Sequence, residues 1–384
     1  MKIGFDARLI NETGVGRYIS NILPLLIKQN KKDSWVILVR KKEKPDLMKI
    51  LPAGYNVDLV EFNFRWHGFL EQIFLPLVLY KRHLDIFHSP YINVPVFYFK
   101  RKAVTIHDIT VFTLKTGKAS TKNRLFYGIK RLGYKIALKS ALRSQVIYVV
   151  TNSVRNDIIS NFPKVDKNNI VVAPNGFTKL KTSRSKTNLN TIKSLKPYFL
   201  YVGNAHPHKN LEFLADSLNR FFDKLPRYKI VFAGKNDFFM QRLKEHVATL
   251  SNKENYVFID SPSDSFLASL YSASTVVVLP SKKEGFGLQI LEAMDKNALI
   301  VASRISAYQE VAKDLAFYFT KDSSRSFYIA LSKALKIKPF EKAKLFKKYK
   351  TNIKRYSWQR SAKTIYNAYF THRNKTKTLI SKNF

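Results

Sequence analysis

Apolar and polar positions along this chain follow two periods. Short runs of β-branched and aliphatic residues recur at 1–7, 35–39 (WVILV), 57–61, 85–88, 103–107, 145–150 and 170–175, and again at 198–204 (YFLYVGN), 229–235 (KIVFAGK), 256–260 (YVFID), 275–279 and 298–302. Such runs, apolar on both faces and closed by loop-forming residues, predict strands buried in a parallel sheet. Between many of them apolar residues repeat at helical spacing, as in 18–29 and 211–221. The alternation predicts an α/β chain with helices on the faces of parallel sheets. It is interrupted once, by the polar, Ser/Thr-rich stretch 177–196, which contains no acidic residue and reads as a linker. The expected domains are therefore 1–176, 197–355, and a last segment 356–384 with helical apolar spacing over 356–370.

The most informative stretch is 275–302, TVVVLPSKKEGFGLQILEAMDKNALIVAS. Thr275–Leu279 reads as a buried strand, Pro280 to Gly287 as a loop, Leu288 to Met294 as a helix and Ala298–Ala302 as the next strand. A loop of this kind offers the backbone N–H groups of Gly285, Phe286, Gly287 and Leu288 at a helix N-terminus, where unsatisfied donors and partial positive charge favour an anion. Glu284 and Glu292 frame it, and carboxylates suit hydroxyls. Phosphate donors flanked by hydroxyl acceptors point to a diphosphate between two sugars. Glycine loops before helices are also common in α/β proteins, so this loop taken alone is equally compatible with a solvated surface turn.

The run PSKKEGFGLQILEAM resembles the Glu-x7-Glu signature of retaining glycosyltransferases of family 4, which are similar to glycogen synthase. The resemblance implies the GT-B fold: two Rossmann-like domains facing a cleft, with a C-terminal helix crossing back to the N-terminal domain. It implies that Glu284 touches the donor sugar and Glu292 the ribose hydroxyls. Family members carry a Gly-x-Gly-Arg-Tyr loop after the first strand, matched here by Gly14, Gly16 and Arg17, which approaches the donor phosphate or the acceptor. They also carry a His-Asp at a strand end. That match makes His107 a residue facing the donor sugar and Asp108 one that orients the loop. Their phosphate-binding loop is resembled by GNAHPHKNLEFL at 203–214. There Lys209 is the expected cation for the diphosphate, and Asn204 stands where many relatives have Arg. The three expected catalytic residues are Glu284, His107 and Lys209.

Composition changes this picture in three respects. The chain has 384 residues and no cysteine, so it has room for two cores and no disulfide or thiolate metal site. No Asp-x-Asp motif occurs, and His206 and His208 lack a third ligand nearby, so no metal is expected and the nucleotide-sugar is a substrate, with no cofactor. The net charge of +40 is uneven: residues 1–170 carry +17 and 333–384 carry +15, whereas 197–332 carry only +2. A basic half beside a neutral one suits an anionic membrane surface, and the basic amphipathic stretch 122–144 is its candidate docking helix, although core packing explains the same pattern. The longest apolar stretch, 73–80, holds Pro76 and is too short to span a bilayer. With no apparent secretory signal, the expected location is cytoplasmic, peripheral on the inner face of the membrane.

The expected function is retaining transfer of a hexose, mannose as the first guess, from a nucleotide-sugar to a saccharide acceptor. That acceptor is expected to be lipid-linked, in bacterial O-antigen, capsule or exopolysaccharide synthesis. Two alternatives stay open: a nucleotide-sugar epimerase of similar fold, and a basic nucleic-acid-binding protein. The second is disfavoured because the phosphate loop lies in the neutral half.

Overall fold

The computed structural model describes residues 1–64, 68–113, 124–181 and 185–371. The described chain forms two compact units. One contains Met1–Phe112, Arg124–Gly176 and the segment from Ser357 on; the other contains Phe177–Tyr356.

The first unit is built on a parallel sheet of seven strands: β1 (Lys2–Asp6), β2 (Ser34–Val39), β3 (Asn56–Glu61), β4 (Ile86–Ser89), β5 (Lys102–Ile106), β6 (Val146–Val149) and β7 (Ile170–Val172), in the order β3-β2-β1-β4-β5-β6-β7. The second holds six: β8 (Tyr198–Val202), β9 (Lys229–Gly234), β10 (Tyr256–Asp260), β11 (Val276–Leu279), β12 (Leu299–Ser303) and β13 (Phe317–Phe319), in the order β10-β9-β8-β11-β12-β13. Every pairing is parallel, with Phe5 opposite His88 and Val277 opposite Leu200 across the central pairs. In each sheet the strand order reverses once, between β1 and β4 and between β8 and β11. Loops leaving the carboxyl ends of such a pair diverge and open a crevice for ligands.

The strand runs form because helices cover both of their faces. All of β11, VVVL, is buried, as are all of β5 and β12. The stretch 275–302 folds as its pattern predicts, with β11, a loop, a helix Leu288–Asp295 and β12 in sequence. The last helix, Trp358–Thr371, belongs to the first unit. It buries Trp358, Ala362, Ile365, Tyr366 and Tyr369 against the helix Thr13–Ile27 and β6, and Tyr148 donates to the Ile365 carbonyl at 2.7 Å. A Cβ at Gly176 would lie 2.2 Å from the Trp358 amide, so only glycine permits this approach.

Two expectations need correction. The stretch 177–196 is not a bare linker, because Lys186–Leu195 is a helix whose Ile192 and Leu195 are buried in the second unit, against the helix Asp264–Ala273. Two apolar side chains one turn apart suffice to dock a short polar helix, and composition alone conceals them. Gly14 and Gly16 do not sit in a loop, because the helix begins at Thr13 and takes both into its first turn. His88, at the end of β4, is fully buried, bonded through Nδ1 to the Tyr369 hydroxyl at 2.6 Å and through Nε2 to Thr105 at 2.9 Å, and burial lowers its pKa to about 3. It is a neutral core histidine.

Of the stretch 122–144, residues 122 and 123 and the side chains of 124–131 lie outside the described part. The remainder of the helix Arg124–Ala141 buries Ala137, Leu138 and Ala141 and exposes Leu132 and Ile136. The tail 372–384 also lies outside the described residues.

Candidate functional site

The densest polar arrangement of the second unit lies at the carboxyl ends of β8 and β11. The loop leaving β8 turns through Gly203, at φ +140°, and ends at Asn210 in the left-handed region, φ +63°, before the helix Leu211–Phe222. The Lys282 amide donates to the His208 carbonyl at 2.7 Å and ties this loop to the one leaving β11. The Asn210 side chain donates to Asp322 at 3.0 Å, and Lys282 pairs with the same carboxylate at 2.9 Å.

These ties bring Lys209 and Glu284 together. Lys209 is buried, and its ammonium lies 2.6 Å from Glu284 Oε1. Ser281 donates to that same oxygen at 2.7 Å, and the Tyr308 hydroxyl stands 3.3 Å from it and 3.0 Å from Ser281 Oγ. Oε1 is thus saturated, while Oε2 receives no hydrogen bond from any described residue. Burial alone would push the Glu284 carboxyl up. The Lys209 charge foremost, then His208 and the hydrogen bonds from Lys209 and Ser281, reverse this and hold it below the ordinary glutamate range. The carboxylate is ionised, with one oxygen anchored and one available. Lys209 has three N–H groups and commits one to Glu284, which leaves donors for an anion.

Beside this pair the glycine loop enters the helix Leu288–Asp295. Gly287 has φ +92°, and a Cβ there would meet the Tyr308 ring at 2.7 Å, so both backbone and space demand glycine. No side chain caps this helix at Gly287, so no side-chain cap occupies the amides of its first turn. Phe286 is buried edge-on to Tyr356 at 5.4 Å, so its side chain anchors the loop and only its backbone can serve a ligand. Glu292 is buried one and a half turns on, and its Oε2 accepts from Tyr271 at 2.8 Å. Asn204 turns back on its own loop: its carbonyl accepts from Tyr201 at 2.7 Å, and its side chain stands 3.4 Å from the His206 amide. His206 and His208 stack at 5.9 Å between ring centroids, with His206 against Phe239.

The first unit holds the remaining expected residues. His107 follows β5, and its Nε2 lies 3.0 Å from the Pro90 carbonyl. A carbonyl only accepts, so Nε2 carries the proton and Nδ1 the lone pair. Burial lowers the His107 pKa, against the smaller opposing effects of Pro90 and Asp108, so the ring is neutral. Tyr18 packs edge-on to it at 4.9 Å, and Asp108 accepts from the Thr110 amide at 2.7 Å, which orients the turn. A Cβ at Gly16 would stand 2.2 Å from the Ile10 carbonyl, whereas one at Gly14 would meet nothing, so only Gly16 is required by packing. Arg17 is half-buried on the helix Thr13–Ile27.

Sequence reasoning missed Ser281, Tyr308 and Tyr271, which hold the two glutamates. Ser281 lies inside the quoted motif, but Tyr308 and Tyr271 arrive from other helices and leave no local signal. Also missed is the fully buried Arg8, just beyond β1, which is forked on Asp6 at 2.6 and 2.8 Å and bonded to Glu71 at 2.6 Å.

Residues 184–353 match the family model "Glycosyl transferases group 1". The O-antigen chain mannosyltransferase RfbU of Salmonella typhimurium is 28% identical over 233 residues, 60% of each chain. O-antigen chain mannosyltransferase B of Escherichia coli is 28% identical over 251 residues, 60% of this chain and 59% of its own. The chain thus matches about three fifths of the length of these relatives. Among solved structures, sucrose-phosphate synthase from Thermosynechococcus elongatus superposes with a TM-score of 0.73 at 16% identity, over 96% of this chain and 98% of its own. The fold is GT-B, with two Rossmann-like units.

Proposed function

We propose that this chain is a retaining hexosyltransferase. It moves a hexose, mannose in the first instance, from a nucleotide diphosphate sugar to a hydroxyl of a saccharide acceptor in cell-surface polysaccharide synthesis. The observation that carries the reading is the Lys209–Glu284 pair at 2.6 Å beside an uncapped helix N-terminus, at the point where the second sheet reverses its strand order. The matched group 1 domain spans Lys209, Glu284 and Glu292, and two relatives are named mannosyltransferases of the O-antigen chain.

In this proposal the diphosphate takes the amides of Gly285 to Leu288 and the two N–H groups that Lys209 does not give to Glu284. Negative charge accumulates on the departing diphosphate as the sugar becomes oxocarbenium-like, and preorganised donors in a partly dry site stabilise it most at that moment. Glu284 Oε2 accepts from a hydroxyl of the sugar, Glu292 from the ribose, and His107 Nδ1 from the transferred sugar. Asn204, Gly14, Gly16 and Arg17 act through the backbone shape of their segments. Charge neutralisation by Lys209 and the amides replaces a divalent ion, so transfer proceeds with EDTA present. The acceptor is lipid-linked and the enzyme works in peripheral contact with the anionic inner face of a membrane. Among the described residues no helix is long and apolar enough to cross one.

The test is turnover of GDP-mannose and of UDP-, ADP- and dTDP-sugars by the purified chain, with EDTA and a polyprenyl-diphosphate-linked saccharide, the product's anomeric configuration being read by NMR. Release of nucleoside diphosphate with retention is expected for one donor class. A Glu284→Gln variant that turns over as fast as the parent would refute the reading, as would no transfer from any donor.

A further inference from the structure

The helix Phe69–Lys81 of the first unit is apolar on both faces, yet only one of them is covered. Glu71, Leu75, Pro76 and Leu79 are buried. On the opposite side Phe69 is 78% exposed, Leu70 54% and Leu77 53%, with Ile73 and Phe74 between them. The segment 97–99 continues this surface, with Phe97 55% and Phe99 79% exposed. It is held there by named contacts. Gln72 accepts from the Val96 amide at 2.8 Å, and the Tyr80 hydroxyl accepts from the Phe99 amide at 3.0 Å.

A helix apolar all round is normally enclosed, and contiguous exposed aromatic and aliphatic side chains mark a surface that something else covers. The charges around this face decide what. The one carboxylate of the helix, Glu71, is turned inward on to Arg8 and Asn93. At the rim Lys81 and Lys100 are exposed, and neither makes an ion pair among the described residues. Residues 1–170 carry +17. A second copy of the chain would set these cations against their own kind. A bilayer with anionic headgroups complements both the apolar centre and the basic rim.

We propose that this face, the outer side of the helix Phe69–Lys81 together with Phe97 and Phe99, seats the protein on an anionic bilayer. The aromatic and leucine side chains enter the boundary between headgroups and acyl chains, and Lys81 and Lys100 lie at the lipid phosphates. The inference deepens the membrane contact proposed above, moving it from the stretch 122–144 to a surface whose exposure is explicit. It does not rest on the transfer chemistry.

The experiment is cosedimentation of the full chain with phosphatidylglycerol-containing vesicles and with pure phosphatidylcholine vesicles, without donor or acceptor. The parent is expected to bind the anionic vesicles. The variant Phe69→Ser/Leu77→Ser/Phe99→Ser loses that binding by tenfold or more, about one order of magnitude for three withdrawn apolar anchors. Lys81→Gln/Lys100→Gln loses about fivefold per charge on the anionic vesicles only. All substituted side chains lie on the surface, so unchanged circular dichroism checks the fold. Phe99→Trp adds a direct readout: the emission of the introduced indole shifts to the blue and is quenched by brominated lipid. Undiminished binding of the triple variant, or unquenched indole emission from the vesicle-bound Phe99→Trp variant, overturns the proposal. So does a concentration-dependent dimer that the triple variant abolishes without any vesicle binding. Because no substrate is present, failure here leaves the transferase reading intact. Conversely, absent turnover leaves the vesicle result standing.

Discussion

Replacing Lys209 by methionine, which keeps most of the side-chain volume and removes the charge, tests the centre of the site. Glu284 would then remain buried with no cation, its side chain only 12% exposed. Breaking a buried pair by removing one partner typically costs about 3–5 kcal/mol, because the remaining charge is uncompensated. Residual exposure and the hydrogen bond from Ser281 place this site at the low end, at about 3 kcal/mol. For a unit of this size that lowers Tm by about 6–12 °C. The pH dependence identifies the cause. In the parent the folded-state pKa of Glu284 is depressed, so its stabilising contribution is complete above the ordinary value of 4.5 and is lost as pH falls through the folded value. In the variant burial acts without the Lys209 charge and the pKa rises, so Glu284 destabilises the fold at neutral pH and ceases to do so once protonated. The Tm deficit should therefore be largest at neutral pH and shrink toward pH 4.5. The double variant Lys209→Met/Glu284→Gln should recover part of the loss, since neither charge is left alone. Differential scanning calorimetry of the four proteins at both pH values measures this. A deficit independent of pH, or strictly additive single effects, refutes the argument that the pair is charge-coupled.

Three further outcomes follow from the same geometry. Gly287→Ala places a Cβ 2.7 Å from the Tyr308 ring at φ +92°; it should cost about 1–3 kcal/mol by thermal melting and abolish the stabilisation by a nucleotide-sugar. Tyr308→Phe removes a hydroxyl shared by Ser281 and Glu284; a stability loss of about 1 kcal/mol is expected, together with a lower kcat under the proposed transfer, read from donor hydrolysis or transfer rates. Tyr271→Phe removes the hydroxyl that Glu292 Oε2 accepts from; under the proposed ribose contact it should raise the donor Kd in calorimetric titration more than it lowers kcat, because a ribose is held alike in ground and transition states.

The two sheets and the loop-helix unit at 285–295 were legible because they depend on local information. A strand buried on both faces writes itself as an apolar run, and a tight loop that opens a helix writes itself as glycines ahead of a helical period. The linker failed this test, since Ile192 and Leu195 dock a helix whose composition is polar. Gly14 and Gly16 failed it because the helix expected from residue 18 begins at Thr13, and glycine marks a loop and a close helix approach equally well.

What the sequence by itself determined is the order of strands and helices, the near-neutral segment 197–332, and the identity of the charged residues at the ends of β8 and β11. Only the tertiary structure decided their partners. Lys209 and Glu284 are 75 residues apart and meet because β8 and β11 are neighbours in the sheet, while Tyr308 and Tyr271 reach the glutamates from helices outside the motif. The helix Phe69–Lys81 carries the same lesson for a surface, since its apolar pattern is that of an enclosed helix and only the packing around it leaves one side uncovered. Hydrophobic period records which residues avoid water, but contact across a sheet and the coverage of a face are set by chain topology, which no local pattern encodes.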